Sequence, residues 1–344
     1  MASKRKKAEP QVKKLPEARE YPWHREPWAI LTTQLQRLPH AMLLQGQQGL
    51  GKTGFAMRLA QSLLCQSRGS DAAACGQCKS CQLFVAGSHP DLSFIDPEET
   101  GKAITVDQTR ALANYLYLKP HMGSHKITII APAENMNIHA ANSLLKMLEE
   151  PPLGNIMILV SSLPGKLPVT IRSRCLPIKF AAPDNTTGRA WLVAEGVAVE
   201  QAEQALIYSS GAPLTALALA KSDFLGRSLD WLRDIATLYS TRKGSASDVA
   251  AKWKKEGSAE TLLWLQETVQ DMIRRANGLG PMLPAADEKA EQWLQDTIKQ
   301  LNLTKLFGFL DSISEARTLL STPLDEQLLL ESLLIKWRNL ADNK

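Results

Sequence analysis

The sequence predicts a two-part protein: an α/β half built on a parallel sheet with a phosphate-binding loop, then an all-α C-terminal half. Three observations carry this. Gly46-Gln47-Gln48-Gly49-Leu50-Gly51-Lys52-Thr53 fits G-x-x-x-x-G-K-[ST] at every fixed position. Strand-like and helix-like segments alternate over residues 40–180, the pattern of a parallel sheet covered on both faces. From about Pro183 the strand signal disappears and helical spacing takes over.

The loop sits in the context it needs. Ala41-Met42-Leu43-Leu44 is an apolar run suited to a buried strand, and Phe55 to Leu64 reads as a helix with Phe55, Leu59 and Leu63 on one face. Gly46, Gly49 and Gly51 let backbone N–H groups approach phosphates, and the helix N-terminus adds a favourable field. Lys52 would reach the outer phosphates and Thr53 would ligate Mg2+, which makes ATP or ADP the candidate ligand.

Composition narrows the class. The chain has 344 residues, enough for two or three domains, with 44% hydrophobic and 22% charged residues. No apolar run approaches the roughly 20 residues of a membrane span, and the N-terminus lacks the apolar segment of a secretory signal. A cytoplasmic location is expected. Residues 1–20 hold seven basic and three acidic groups, most of the net charge of +5. This tail reads as a solvated, disordered arm, with nonspecific contact to nucleic acid as the alternative.

Tyr21-Pro22-Trp23 and Trp28 begin the folded part, and Pro27 to Leu38 is expected to be a short helix ending at Pro39. After the loop helix come Cys65, Cys75, Cys78 and Cys81, spaced C-x9-C-x2-C-x2-C. In a reducing compartment, four thiolates at this spacing point to a closed tetrahedral Zn2+ site that is structural rather than catalytic. His89 is near enough to be weighed as a ligand, although a local hydrogen bond beside Pro90 explains it as well. Asp91 to Asp96 reads as a strand, and Thr105 with Gln108 forms a capping box for a helix running to Lys119. Lys126-Ile127-Thr128-Ile129-Ile130 is a buried parallel strand.

That strand decides what the loop is for. A hydrolysing P-loop enzyme ends it in an acid that helps hold magnesium. Here it runs into Ala131-Pro132-Ala133, and Glu134 lies three residues further on, about 10 Å along an extended chain. The acid needed for hydrolysis is missing from its place. Ala140 to Glu150 then forms an amphipathic helix stopped by Pro151-Pro152, and Asn155 to Ser162 and Pro177 to Phe180 are strands. Helices are expected at about 186–195, 199–209, 213–221, 223–241, 246–256, 259–277, 286–301, 303–320 and 324–341. In the last, Leu329, Leu330, Leu333, Leu334 and Trp337 make a stripe whose default role is core, with subunit assembly as the second reading.

Several segments together resemble the bacterial clamp-loader subunits of DNA polymerase III, of the AAA+ class. They are Tyr21-Pro22-Trp23, the glycine loop, the cysteine insert, Ala86-Gly87-Ser88-His89-Pro90-Asp91, Asn142 to Pro152, and Ser173-Arg174-Cys175. Within that family the chain is most similar to the delta-prime group. The resemblance implies an AAA+ α/β domain at 21–181 with a zinc module inserted at about 65–90. A small helical lid at 182–222 and an all-α oligomerisation domain at 223–344 would follow. It implies that Arg174 acts as an arginine finger, reaching across a subunit interface to a neighbour's ATP.

Ala131 and Pro132 stand where the motor subunits of this family carry an Asp-Glu pair, and Leu214 where they carry a phosphate-sensing arginine. The implied role is therefore a non-hydrolysing stator of the DNA polymerase III clamp loader in DNA replication. Its partners would be the gamma/tau-like ATPase and the delta-like clamp-opening subunits, with the sliding clamp and primed DNA engaged by the assembly. Lys52 and Thr53 are retained, which leaves nucleotide binding open. An active ATPase motor and a zinc-dependent nucleic-acid-binding module are the alternatives.

Overall fold

The computed structural model describes residues 15–99, 101–241, 244–283, 288–320, 322 and 324–340. The chain divides into two compact units, 1–182 and 183–344.

In the first unit, short 3-10 turns at Pro22–His24 and Leu35–Arg37 flank α1 (Arg25–Thr32). The single helix expected over 27–38 is thus shorter and starts earlier. Strand β1 (Ala41–Gln45) feeds the glycine loop, and α2 (Lys52–Leu64) follows it. A helix that the sequence does not announce, α3 (Lys79–Val85), lies inside the cysteine insert, where its shortness hides the periodicity. Then come β2 (Leu92–Ile95), α4 (Val106–Leu116), β3 (Lys126–Ile130), α5 (Ile138–Glu149), β4 (Asn155–Ser161), α6 (Val169–Arg172) and β5 (Leu176–Lys179). The Thr105/Gln108 capping box is present at the start of α4.

The five strands form one sheet in the order β2-β3-β4-β1-β5, with every pairing parallel. β3 and β4 are buried along their whole length, as a sheet covered on both faces requires. Ala41, Leu43, Ile130, Met157 and Leu159 share a core with α4, α5 and α6 on one face. The alternate residues Met42 and Leu44 are buried on the opposite face. Lys126, buried within β3, donates to Tyr115 O at 2.9 Å and lies 3.8 Å from the centre of the Tyr115 ring. Its charge is therefore met inside the fold.

The second unit holds α7 (Asn185–Ala194), α8 (Val199–Tyr208), α9 (Pro213–Lys221), α10 (Phe224–Thr241), α11 (Ala246–Ala276), α12 (Glu288–Gln300), α13 (Leu303–Leu319) and α14 (Glu326–Asn339). α11 is broken at Gly257, whose φ of 115° is non-helical, so two helices meet there as the sequence predicts. One hydrophobic core runs from Leu192 to Trp337. Trp231, Trp253, Trp264 and Trp337 are fully buried in it. The indole N–H of Trp231 donates to Glu256, that of Trp253 to Asp234, and that of Trp337 to Ile235 O at 2.9 Å, so these polar ends are satisfied. Leu330, Leu333, Leu334 and Trp337 all face this core, which accounts for the terminal stripe. Among the described residues, no helix is long and apolar enough to cross a membrane.

Candidate functional site

The phosphate loop joins β1 to α2 and rests on an aromatic bed. Gly51 caps α2 at φ 76°, and a Cβ there would lie 2.5 Å from the Tyr21 ring, so both backbone and space demand glycine. Tyr21 stacks on Trp23 with ring centres 5.0 Å apart. His24 is enclosed edge-on by Phe55 and Phe180 at 5.3 and 5.4 Å. Two side chains hold the loop from below through one carbonyl. Trp23 Nε1 donates to Leu50 O at 3.0 Å, and His24 Nε2 lies 2.8 Å from the same oxygen. Burial pushes the His24 pKa down to about 4, so the ring is neutral and its Nε2–H donates to Leu50 O. The sequence displays these aromatics but not that they carry the loop, because their contacts span 26 and 27 residues.

Lys52 is the first residue of α2 and is buried. Its ammonium donates to Gly46 O and Gln47 O, both at 2.7 Å, and to Ser162 Oγ at 3.1 Å. Burial lowers its pKa to about 8, opposed by the nearby Glu134 carboxylate, so the cation persists at neutral pH. Thr53 follows it, half-buried.

At the end of β3, Ala131 is buried and its peptide bond to Pro132 is cis. Glu134 lies in a 3-10 turn, Ala133–Asn135, and its carboxylate turns toward the end of β4. Oε1 accepts from Ser162 N at 2.9 Å and from Leu163 N at 3.2 Å. Glu134 thus fixes the residue whose hydroxyl receives Lys52. The sequence does not mark Ser162 as a site residue, since only the fold places it beside Lys52.

Ser173-Arg174-Cys175 follows α6 and divides its labour. Cys175 is buried, and burial pushes its thiol up to about 11, so it is an inert anchor. Arg174 turns outward, with its side chain 36% exposed. Its Nη1 donates to Thr170 O at 3.0 Å and its Nη2 pairs with Glu149 Oε1 at 2.6 Å.

The four cysteines converge. Cys65 caps the C-terminus of α2, Cys78 caps the N-terminus of α3, and Cys81 lies within α3. Their Sγ atoms and that of Cys75 all lie within 4.8 Å of one another. Zn–S bonds of about 2.3 Å in a tetrahedron place sulfurs roughly 3.8 Å apart, and Cys65 and Cys78 Sγ are separated by 4.0 Å. Backbone N–H groups of Cys75, Cys78 and Cys81 point at sulfurs of Cys65, Cys75 and Cys78 at 3.3, 3.4 and 3.5 Å. Although burial raises the Cys78 thiol, the N–H groups of Cys81 and Gln66 prevail and bring it to about 6. The donor set fits a four-coordinate thiophilic ion with no open position.

His89 lies outside this cluster. Its Nδ1 accepts from Asp91 N at 3.0 Å, which leaves the proton on Nε2 for Ser80 Oγ at 2.7 Å. Ser80 in turn donates to Leu64 O at 2.6 Å, fastening α3 to the end of α2.

An intact phosphate loop at the end of β1 in this parallel sheet defines a P-loop α/β protein. The family comes from sequence comparison. Residues 24–184 match the family described as DNA polymerase III, delta subunit, and residues 223–339 match its C-terminal counterpart. The DNA polymerase III subunit delta' of Pseudomonas aeruginosa is 34% identical over 330 residues, covering 93% of this chain and 98% of that protein. Its Escherichia coli namesake is 30% identical over 325 residues, covering 92% and 94%. A DNA polymerase III subunit tau/gamma of Haemophilus influenzae is 40% identical over 150 residues, covering 44% of this chain and 21% of that one. The chain belongs to the family of DNA polymerase III delta-prime subunits.

Proposed function

We propose that this chain is a stator of a bacterial clamp loader: it binds nucleotide without hydrolysing it and supplies Arg174 to the ATP of a neighbouring subunit. The observation that carries this reading is the contrast between the nucleotide loop and the end of β3. Lys52 and Thr53 are in place, whereas β3 ends in Ala131-Pro132 and Glu134 is engaged with Ser162 and Leu163 N–H groups. Oε1 is committed to those N–H groups, and the remaining Oε2 is buried, three residues past Ala131, the place where a hydrolytic acid stands.

Arg174 supports the rest of the proposal. It is exposed at the end of α6, next to the inert Cys175, with the exposed apolar residues Val169 and Leu176 on either side in sequence. An arginine with donors to spare on an accessible apolar surface suits a contact made in trans. In this reading the partners are gamma/tau-like ATPase subunits and a delta-like clamp-opening subunit, and the sliding clamp and primed DNA are engaged through the assembled ring. Residues 182–222 act as a lid and 223–344 as the oligomerisation collar. The four cysteines hold a structural Zn2+ in the cytoplasm, shaping the insert and taking no part in phosphoryl transfer.

The test measures equilibrium ATP and ADP binding together with ATP turnover by the purified chain, wild type against Lys52→Ala. Binding that Lys52→Ala abolishes, with no turnover, is the expected result. Turnover lost in Lys52→Ala would make the chain a motor and overturn the proposal.

A further inference from the structure

Arg174 is held in a defined position within the isolated chain, and the residue that holds it has no role in the reading above. We infer that Glu149 is a positioning residue for Arg174, an inference that rests on Arg174 acting as a finger toward a neighbour's nucleotide. Glu149 is the last residue of α5. Its Oε1 accepts from Nη2 of Arg174 at 2.6 Å, while Thr170 O accepts from Nη1 at 3.0 Å. These anchors come from two separate elements, one from the end of α5 and one from α6, and they hold different nitrogens of the guanidinium. Together they fix both the direction and the plane of the guanidinium.

Both supports are rigid. Ala141, Leu144, Met147 and Leu148 bury α5 against the sheet, and Ile171 and Cys175 bury the backbone on either side of Arg174. A guanidinium has five N–H donors, and these two anchors leave donors for a phosphate oxygen. Holding the group in place before the partner arrives lowers the ordering cost of the contact. The side chains of Arg174 and Glu149 are 36% and 50% exposed, open enough for a partner to reach. A pair so exposed contributes little to folding, so Glu149 can be changed without losing the protein.

The experiment uses the complete complex, reconstituted from this full chain with its ATPase and clamp-opening subunits. ATP turnover is measured for wild type, Glu149→Ala, Glu149→Gln, Arg174→Ala and the Glu149→Ala/Arg174→Ala double variant. Glu149→Ala is expected to lower kcat of the site that receives Arg174 about fivefold, with KM for ATP held within about twofold. Glu149→Gln, whose amide oxygen still accepts an N–H, should recover part of the loss. On the Arg174→Ala background, Glu149→Ala should change nothing.

Three results would overturn the inference. If Arg174→Ala slows turnover and Glu149→Ala does not, the finger stands and Glu149 has no part in it. If Glu149→Ala is equally harmful on both backgrounds, or lowers the thermal midpoint of the isolated chain by more than about 5 °C, its role is structural. If Arg174→Ala itself has no effect, the finger reading falls and this inference falls with it.

Discussion

Acid should loosen the loop's bed through His24. The ring is fully buried among Tyr21, Phe55 and Phe180, and its Nδ1 has no partner. Burial is the main cause of its lowered pKa. The Leu50 carbonyl opposes the shift and the Arg58 charge assists it, leaving the value at about 4 against 6.5 for the free side chain. The folded pKa lies below the unfolded one, so between these values the unfolded chain binds more protons and stability rises with pH. The contribution is fully present above 6.5 and is lost as pH falls toward 4. A shift of this size corresponds to about 3 kcal/mol, or roughly 1.4 kcal/mol per pH unit within the window.

His24→Gln removes the titration and keeps an N–H for Leu50 O. Urea unfolding from about pH 7.5 to 4 should show the variant gaining about 3 kcal/mol on the wild type as pH falls. Hydrogen exchange in peptides covering 41–64 localises the effect to the first unit. Parallel pH profiles for the two proteins would refute the reasoning. Nucleotide affinity of the wild type should fall over the same window, because the carbonyl that His24 holds belongs to the loop.

Two further outcomes follow from the geometry. The purified chain should carry one equivalent of zinc, and Cys78→Ser should abolish it. Co2+ substitution of the wild type should give the thiolate charge-transfer bands of a four-sulfur site, and a wild-type chain that binds no metal would contradict the fit of the four Sγ atoms. Glu134→Ala strips the N–H groups of Ser162 and Leu163 of their acceptor. It should cost about 1–3 kcal/mol of stability and weaken nucleotide binding; unchanged affinity would show that the Ser162 contact to Lys52 does not depend on Glu134.

The elements that announce themselves in the sequence are those whose cause is local. The glycine loop, the Thr105 capping box, the break at Gly257 and the four-cysteine spacing are written within a few residues, and the structure contains each of them. α3 is not legible because a seven-residue helix has no room for an apolar period. The bed beneath the loop is hidden for another reason. Trp23 and His24 act through a backbone carbonyl, and a carbonyl has no letter in the sequence.

The same distinction explains why Glu134 is harder to judge than Ala131. That Ala131 and Pro132 can offer no carboxylate is settled by their identity. What Glu134 does depends on where its side chain turns, and distance along a strand is a poor guide once the chain leaves the strand for a 3-10 turn. The turn brings its carboxylate to the N–H groups that follow β4, 28 and 29 residues away. Ser162 stands between the two charges, giving its N–H to Glu134 and receiving Lys52 on its hydroxyl, 110 residues from Lys52. An acid in this position supports the lysine through an intermediary: Oε1 is spent on two backbone N–H groups, while Oε2 lies buried without a hydrogen-bond partner.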